Sequence, residues 1–113
     1  MTTLPILQLV GQPILVSRSS ARALEPELER ALRDGNGGAR LDFAGVMGVT
    51  PSFLDEILSV ISRFKSVNQG QVQVEVIHPP TRLSSKFSAV GRGHQLAIRE
   101  SGNGWLITRD SAA

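Results

Sequence analysis

Apolar residues near the amino terminus form two short clusters. Leu4–Val10 and Ile14–Ser17 are mostly apolar, and Gly11 and Pro13 separate them. Short apolar segments bounded by glycine and proline are typical of β-strands. The pattern therefore predicts two short strands joined by a turn.

The next apolar residues recur every three or four positions, which is the spacing of one helix face. They are Leu24, Leu28, Ala31 and Leu32. Pro26 lies inside this pattern and cannot donate a backbone hydrogen bond. We expect either a kinked helix or a separate first turn before a helix that begins near Glu25. Gly35, Gly37 and Gly38 should end the helix.

A buried strand, Ala39–Gly45, and a connector, Val46–Val49, precede the strongest helix signal in the chain. Thr50 suits the N-cap position and Pro51 the first helical position. The predicted helix Thr50–Lys65 has one apolar stripe that we expect to be buried, formed by Leu54, Ile57, Leu58, Ile61 and Phe64.

Polar and apolar residues alternate strictly over Gln71–Ile77. This pattern predicts a strand with one buried and one solvent-facing side, beside the strand that contains Leu41 and Phe43. A short helix through Leu83, Phe87 and Val90 should follow.

That helix should end at Gly91, Arg92 and Gly93. The dipeptide Asn103-Gly104 lies between two apolar segments, which indicates a hairpin of strands Gln95–Arg99 and Gly104–Arg109.

The predicted order is β-β-α-β-α-β-α-β-β. Strands that alternate with helices indicate right-handed βαβ crossovers. We therefore expect an α/β fold with a mixed β-sheet and helices mainly on one face. The length of 113 residues fits a single domain over residues 1–113, with 110–113 as a frayed tail.

Composition narrows the functional classes. Twelve basic and ten acidic side chains are interspersed and give a net charge of +2, which argues against a nucleic-acid binder. The absence of cysteine excludes disulfides and thiolate metal sites. No segment approaches the roughly 18 apolar residues that a membrane helix requires, and no basic leader begins the chain. We expect a cytoplasmic protein without a membrane segment.

No catalytic motif is recognisable, so no catalytic residue, metal ligand or cofactor is predicted. Gly48–Ser52 lacks the second glycine of a nucleophile elbow. His78 and His94 lie beside proline or glycine, and exposure in a loop is favoured over a catalytic role for both. Asp42 is interpreted as hydrogen-bonded to a loop near a strand end rather than as a catalytic acid.

Arg18 and Arg22 are four residues apart and could hold a phosphate or a partner's carboxylate, although a solvated face is favoured. The glycine loops Gly35–Gly38 and Gly91–His94 could form backbone anion sites, but neither precedes a helix. Ser52 lies in a first helical turn, where free N–H groups would favour a phosphate. Its local chemistry alone favours an ordinary first-turn serine.

Two segments, Leu41–Val46 and Val49–Glu56, resemble the STAS fold, named after sulfate transporters and anti-sigma factor antagonists. The resemblance is to the branch of STAS-like domains of unknown function, and it extends to Val16–Arg22 and Trp105–Arg109. In anti-sigma factor antagonists a partner kinase phosphorylates a serine at the start of this helix. By similarity that serine is Ser52.

The resemblance implies a non-catalytic regulatory module for a protein partner, such as an ATPase-fold kinase or an anti-sigma-type regulator. The implied contact residues are Val49, Thr50, Ser52, Phe53 and Asp55. The chain departs from the family pattern because the antagonists carry an acidic residue, small residues and glycine over residues 50–53. Asp55 and Glu56 would also repel a phosphate on Ser52.

The exposure of Phe53 determines whether the start of the predicted helix presents an aromatic ring to a partner. The apolar stripe is complete without it, so Phe53 is expected to be partly exposed, with burial under the Ala44–Val49 loop as the equal alternative.

The rival function is a small-ligand or enzymatic domain that uses a glycine loop with Arg18 and Arg22 as an anion pocket. Neither the partner's identity nor the oligomeric state follows from the sequence.

Overall fold

The amino-terminal segment folds as a strand followed by a helix. The computed structural model describes residues 2–11, 14–15, 18–67, 71–80 and 85–109. Strand β1 (Thr2–Pro5) leads directly into helix α1 (Ile6–Val10), so the predicted strand Leu4–Val10 is wrong beyond Pro5. Gly11 ends α1 with a left-handed backbone (φ 79°) and donates its N–H to the Leu7 carbonyl at 2.8 Å. A short apolar cluster fits the period of a strand and that of a helix, and here Ile6–Val10 forms a helix.

The remaining elements follow the predicted order with one addition. They are β2 (Ile14–Leu15), α2 (Arg18–Asp34), β3 (Gly38–Asp42), β4 (Gly48–Val49), α3 (Pro51–Val67), β5 (Gln73–Ile77), α4 (Ser85–Gly93), β6 (Leu96–Ser101) and β7 (Gly104–Arg109). β4 lies in the segment that was predicted as a connector. A two-residue strand is too short to show a period, so the sequence did not predict it. The predicted residues Gln12, Pro13, Ser17, Leu83 and 110–113 lie outside the described residues.

Helix α2 is continuous, with Pro26 exposed inside it, so the alternative of a separate first turn is wrong. The glycine-rich segment after it ends the helix as predicted. Asn36, in a left-handed conformation (φ 53°), donates to the Arg33 carbonyl, and Gly37 donates to the Leu32 carbonyl at 2.7 Å. This pair of bonds is a Schellman cap.

Five strands form the main sheet in the order β1-β3-β5-β7-β6. β1, β3 and β5 are parallel, and β7 is antiparallel to both β5 and β6. The predicted mixed sheet is confirmed, as is the place of β5 beside β3, where Leu41 pairs with Val76. The predicted hairpin is also confirmed, with Ser101 opposite Gly104. β2 and β4 form a separate two-stranded parallel sheet.

The helices pack on one face of the sheet, as predicted. Alternate strand residues are buried beneath them, namely Leu4, Ala39, Leu41, Val74, Val76, Leu96, Ile98, Trp105 and Ile107. Ile61 is fully buried, as expected. Phe64 packs against the core but is only partly buried, so the expectation of a buried Phe64 is met in part. On the opposite face Arg40 bonds Glu75 at 2.9 Å.

Helix α4 ends at Gly93, within the predicted stop of Gly91, Arg92 and Gly93. Gly91 also allows close packing, because a Cβ atom there would lie 2.8 Å from the Ile98 side chain. Among the described residues no helix is both long and apolar enough to cross a bilayer.

Candidate functional site

The carboxyl ends of three parallel strands lie at one edge of the sheet, which we call the carboxyl edge. α1 follows β1 there, the segment 43–47 with β4 follows β3, and His78 follows β5. α3 begins directly after β4, so the contact surface expected from the sequence lies at this edge. Loops at the carboxyl ends of parallel strands are common binding sites in α/β proteins.

The start of α3 has the predicted local chemistry. Thr50 caps the helix, because the Phe53 N–H donates to Thr50 Oγ1 at 3.2 Å. Pro51 occupies the first helical position. Ser52 is exposed, so its side chain is accessible from outside the fold.

Phe53 is fully buried, so of the two equal alternatives burial is right and partial exposure is wrong. Its ring meets the Phe43 ring edge to face, with centroids 6.5 Å apart. The apolar stripe of α3 is complete without Phe53. Phe53 is buried because it packs against Phe43, which lies in the segment directly after β3. Phe53 therefore belongs to the core and cannot contact a partner while the core stays closed.

Met47, and not Phe53, is the exposed large apolar residue near the start of α3. Its side chain is 72% exposed, in the loop directly before β4. The other exposed large apolar side chain among the described residues is Leu9 of α1, which is 38% exposed. Periodicity could not identify Met47, because a connector has no period. The one signal was a large apolar residue beside a glycine in a predicted loop.

Arg18 and Arg22 bind carboxylates of their own chain. Arg18 Nη1 lies 2.8 Å from Asp55 Oδ2 and 3.0 Å from Glu56 Oε2, and Arg22 Nε lies 3.4 Å from Glu56 Oε1. Both side chains are exposed, at 42% and 65%, as the favoured solvated face predicts, and an anion bound to them would compete with these carboxylates. Asp55 also contacts His94, whose Nε2 is 2.7 Å from Asp55 Oδ1.

These contacts change the electrostatics at the start of α3. The hydrogen bonds from Arg18 and then from His94 lower the pKa of Asp55. The bond from Arg18 also lowers the pKa of Glu56, with help from its hydrogen bond to Glu25. Burial, and then the same bond to Glu56, raises the pKa of Glu25. Arg18 therefore offsets much of the negative charge that was expected to repel a phosphate on Ser52.

The two histidines differ in their surroundings. His78, with its side chain 64% exposed, is the predicted loop histidine, and its Nδ1 lies 2.9 Å from Asp42 Oδ1. The Ala44 N–H donates to the same oxygen at 2.9 Å, so the interpretation of Asp42 as bonded to a loop is confirmed. The His78 bond, followed by the Ala44 bond, lowers the pKa of Asp42. The prediction of an exposed loop is wrong for His94, whose side chain is 20% exposed.

Neither glycine loop offers free backbone donors in the way an anion site needs. The N–H groups of Gly35, Asn36, Gly37 and Gly38 all donate to backbone carbonyls of the helix end or its turn. Gly91 and Gly93 lie within α4, and the His94 N–H donates to the Gly91 carbonyl. Across the described part of the chain, no group of three or more His, Asp or Glu side chains could hold a metal ion.

The carboxyl edge thus combines an exposed methionine, an exposed serine and a set of satisfied ion pairs. Comparisons of the chain with protein-family models, with curated proteins and with solved structures found no match.

Proposed function

We propose that this chain is a non-catalytic, STAS-like regulatory module that binds a cytoplasmic protein partner at the carboxyl edge. Its contact surface, called here the α3-start surface, consists of Met47, Val49, Thr50 and Ser52. The observation that carries the proposal is the 72% exposure of Met47 immediately before β4. A flexible thioether in a loop suits a contact that adapts to its partner.

Phosphorylation of Ser52 would control this contact. Ser52 precedes Asp55 and Glu56 by three and four residues, so the three side chains are neighbours on one helix face. Arg18 lies within 3.0 Å of both carboxylates and would be near a phosphate on Ser52. The fold would tolerate the phosphate, whereas a partner seated on Met47 would have to desolvate a group with a charge of about −2.

The rival function, an anion-binding or enzymatic domain, has less support. Arg18 and Arg22 are engaged by Asp55 and Glu56. In the Gly35–Gly38 loop the four backbone N–H groups already have acceptors. Among the described residues, an anion would have to compete with Asp55 and Glu56 for these two arginines, and the Gly35–Gly38 loop would offer it no free backbone N–H group.

The first experiment replaces Met47. Met47→Ser should melt as wild type does, because the side chain packs little, but it should lose a partner that the wild-type chain captures from native lysate. Arg99→Ser on the opposite sheet face is the control and should keep that partner. If Met47→Ser captures the same partner as wild type, the α3-start surface is not the contact.

The second experiment tests the switch at Ser52. Ser52→Asp should melt within a few degrees of wild type, because helix-dipole and neighbouring-charge effects at an exposed site are each below about 1 kcal/mol. It should nevertheless lose the partner, whereas Ser52→Ala should keep both stability and partner. Retention of the partner by Ser52→Asp would remove the phosphorylation switch and leave the binding surface.

A further inference from the structure

We propose that Met47 is a reversible oxidation site and that its sulfoxide releases the partner. This inference rests on the proposed function, because it regulates the α3-start surface through the exposed thioether of Met47. The oxidant is hydrogen peroxide, and the reductant is the dithiol of a methionine sulfoxide reductase system. The surface would bind its partner under reducing conditions and release it when peroxide is present.

The chain offers peroxide few other targets. It contains no cysteine, and its single tryptophan, Trp105, is 3% exposed. Of its two methionines, Met1 lies outside the described residues, whereas Met47 is 72% exposed. The susceptibility of a sulfur atom to oxidation follows its exposure. Among the described residues, Met47 is therefore the side chain that a peroxide should oxidise first.

The loop that carries Met47 is held by its own hydrogen bonds. The Val46 N–H donates to the Phe43 carbonyl at 2.9 Å, and the Ala44 N–H donates to Asp42 Oδ1 at 2.9 Å. Val46 is 6% exposed, so the residue directly before Met47 is anchored in the core. An ordered backbone thus presents the thioether to solvent, where both peroxide and a reductase can reach it.

The oxidation transfers one oxygen atom. The sulfur of Met47 attacks one oxygen of hydrogen peroxide, the O–O bond breaks and an S–O bond forms. The proton of the transferred oxygen passes to the leaving hydroxide, which departs as water. The sulfur is oxidised by two electrons and the peroxide is reduced. In the reverse step two thiols become a disulfide and their protons leave with the sulfoxide oxygen as water.

The sulfoxide should affect the partner and not the fold. Oxidation converts a flexible apolar side chain into a polar one with a strong hydrogen-bond acceptor. Because Met47 is largely exposed, the new oxygen remains in water while the chain is free. A partner seated on Met47 would have to remove that oxygen from water, and burial of a polar atom without a new hydrogen bond is unfavourable.

The first part of the test locates the oxidation. The full chain is treated with hydrogen peroxide, and peptide mapping by mass spectrometry follows the added oxygen at Met47 and Met1 separately. Met47 should react at a rate close to that of free methionine in the same solution. Leu58→Met supplies the buried comparison, because Leu58 is fully buried and leucine-to-methionine exchange nearly conserves volume. Its introduced sulfur should react much more slowly than Met47.

The second part measures the partner, defined as the protein that wild type captures from native lysate and Met47→Ser does not. Peroxide is removed with catalase before the lysate is added. The oxidised chain should melt as the reduced chain does and should lose the partner. Treatment with reductases for both sulfoxide epimers should restore capture. Met47→Leu keeps an apolar side chain that peroxide does not oxidise, so it should hold the partner before and after peroxide.

The outcomes separate this inference from the proposed function. If the oxidised chain keeps a partner that Met47→Ser loses, the α3-start surface stands and the oxidation switch is wrong. The switch is also wrong if Met47 reacts no faster than the buried sulfur of Leu58→Met, or if the reductases do not restore capture. Loss of the partner by peroxide-treated Met47→Leu would assign the effect to another residue. If Met47→Ser and the oxidised chain both capture what wild type captures, both proposals fail.

Discussion

Asp55 connects the ends of three helices. It lies in the first turns of α3, and its two oxygens bind Arg18 from the start of α2 and His94 just after α4. Single exposed ion pairs contribute little to stability, but a carboxylate with two partners fixes the relative positions of the elements that carry them. Asp55 thus supports the α3-start surface, and a partner that used its carboxylate would compete with Arg18 and His94.

The lowered pKa of Asp55 predicts how stability depends on pH. A carboxyl group whose pKa is lower in the folded state stabilises the fold above its unfolded value of about 3.9 and loses that contribution as the pH falls through the folded value. Asp55→Asn should therefore show a shallower acid-induced loss of the free energy of unfolding than wild type. Urea denaturation between about pH 5 and about pH 2 measures it.

Asp34→Asn is the control for this experiment. It removes the same charge at the end of α2, where no ion pair with Asp34 exists among the described residues. Its acid slope should match that of wild type. The slope of Asp55→Asn should be reduced and not abolished, because hydrogen bonds also lower the pKa of Asp42 and Glu56. A wild-type slope in Asp55→Asn would contradict the role of this cluster.

At the scale of elements, length decides what the sequence can predict. α2, α3 and β5 span enough residues to show a period, and the sequence placed each of them. α1 and β4 are too short for this, so the first was predicted as a strand and the second as a connector. Their conformations depend on Gly11 and on pairing with β2, which are a local cap and a tertiary contact.

The contact surface expected from the sequence stays a prediction, and one of its expected residues, Phe53, lies in the core. The N-cap and the exposed serine follow from local rules. The burial of Phe53 depends on Phe43, a residue of another segment, and the partners of Arg18 depend on how α2 packs beside α3. Neither contact has a signature in the spacing of residues along the chain.

The hairpin of β6 and β7 requires glycine where β7 begins. A Cβ atom at Gly104 would overlap the Val76 carbonyl oxygen of β5 and lie 3.2 Å from the carbonyl carbon. Backbone atoms of a central strand cannot move aside as a flexible side chain can. Gly104→Ala should therefore lower the free energy of unfolding by about 1–3 kcal/mol, measured by chemical denaturation.

Gly93→Ala is the control and should stay close to wild-type stability, because a Cβ atom at Gly93 would meet nothing within 4 Å. The comparison separates steric overlap at Gly104 from the general effect of replacing glycine by alanine. Wild-type stability in Gly104→Ala would mean that β7 does not lie against β5 in this register.

At the scale of the whole molecule, the fold is a two-layer α/β arrangement in which charges of opposite sign are interspersed. One row crosses the uncovered face of the sheet through Thr3, Arg40, Glu75, Leu106 and Arg99. Arg40 and Glu75 in this row form an ion pair, and on the helical side Arg63 lies 3.5 Å from Glu25. Arginines from both layers are thus matched with carboxylates of the same chain.

This charge arrangement predicts that the protein does not recognise nucleic acid. Binding to a duplex depends on several cationic side chains that replace counterions along the phosphates. Here the net charge is +2, and Arg18, Arg22, Arg40 and Arg63 are each within reach of a carboxylate. Fluorescence anisotropy with labelled DNA and RNA duplexes should show no binding tighter than the non-specific level at physiological salt.

A double variant tests whether carboxylates of the chain keep its arginines from binding nucleic acid. The double variant Asp55→Asn with Glu56→Gln removes the carboxylates that hold Arg18 and Arg22, so it creates a local excess of positive charge. It should bind duplexes more tightly than wild type at low salt, and this gain should vanish as the salt concentration rises. Sequence-selective binding by the wild-type chain at physiological salt, with sub-micromolar affinity, would contradict the prediction, because specificity of that kind requires cations free to face the nucleic acid.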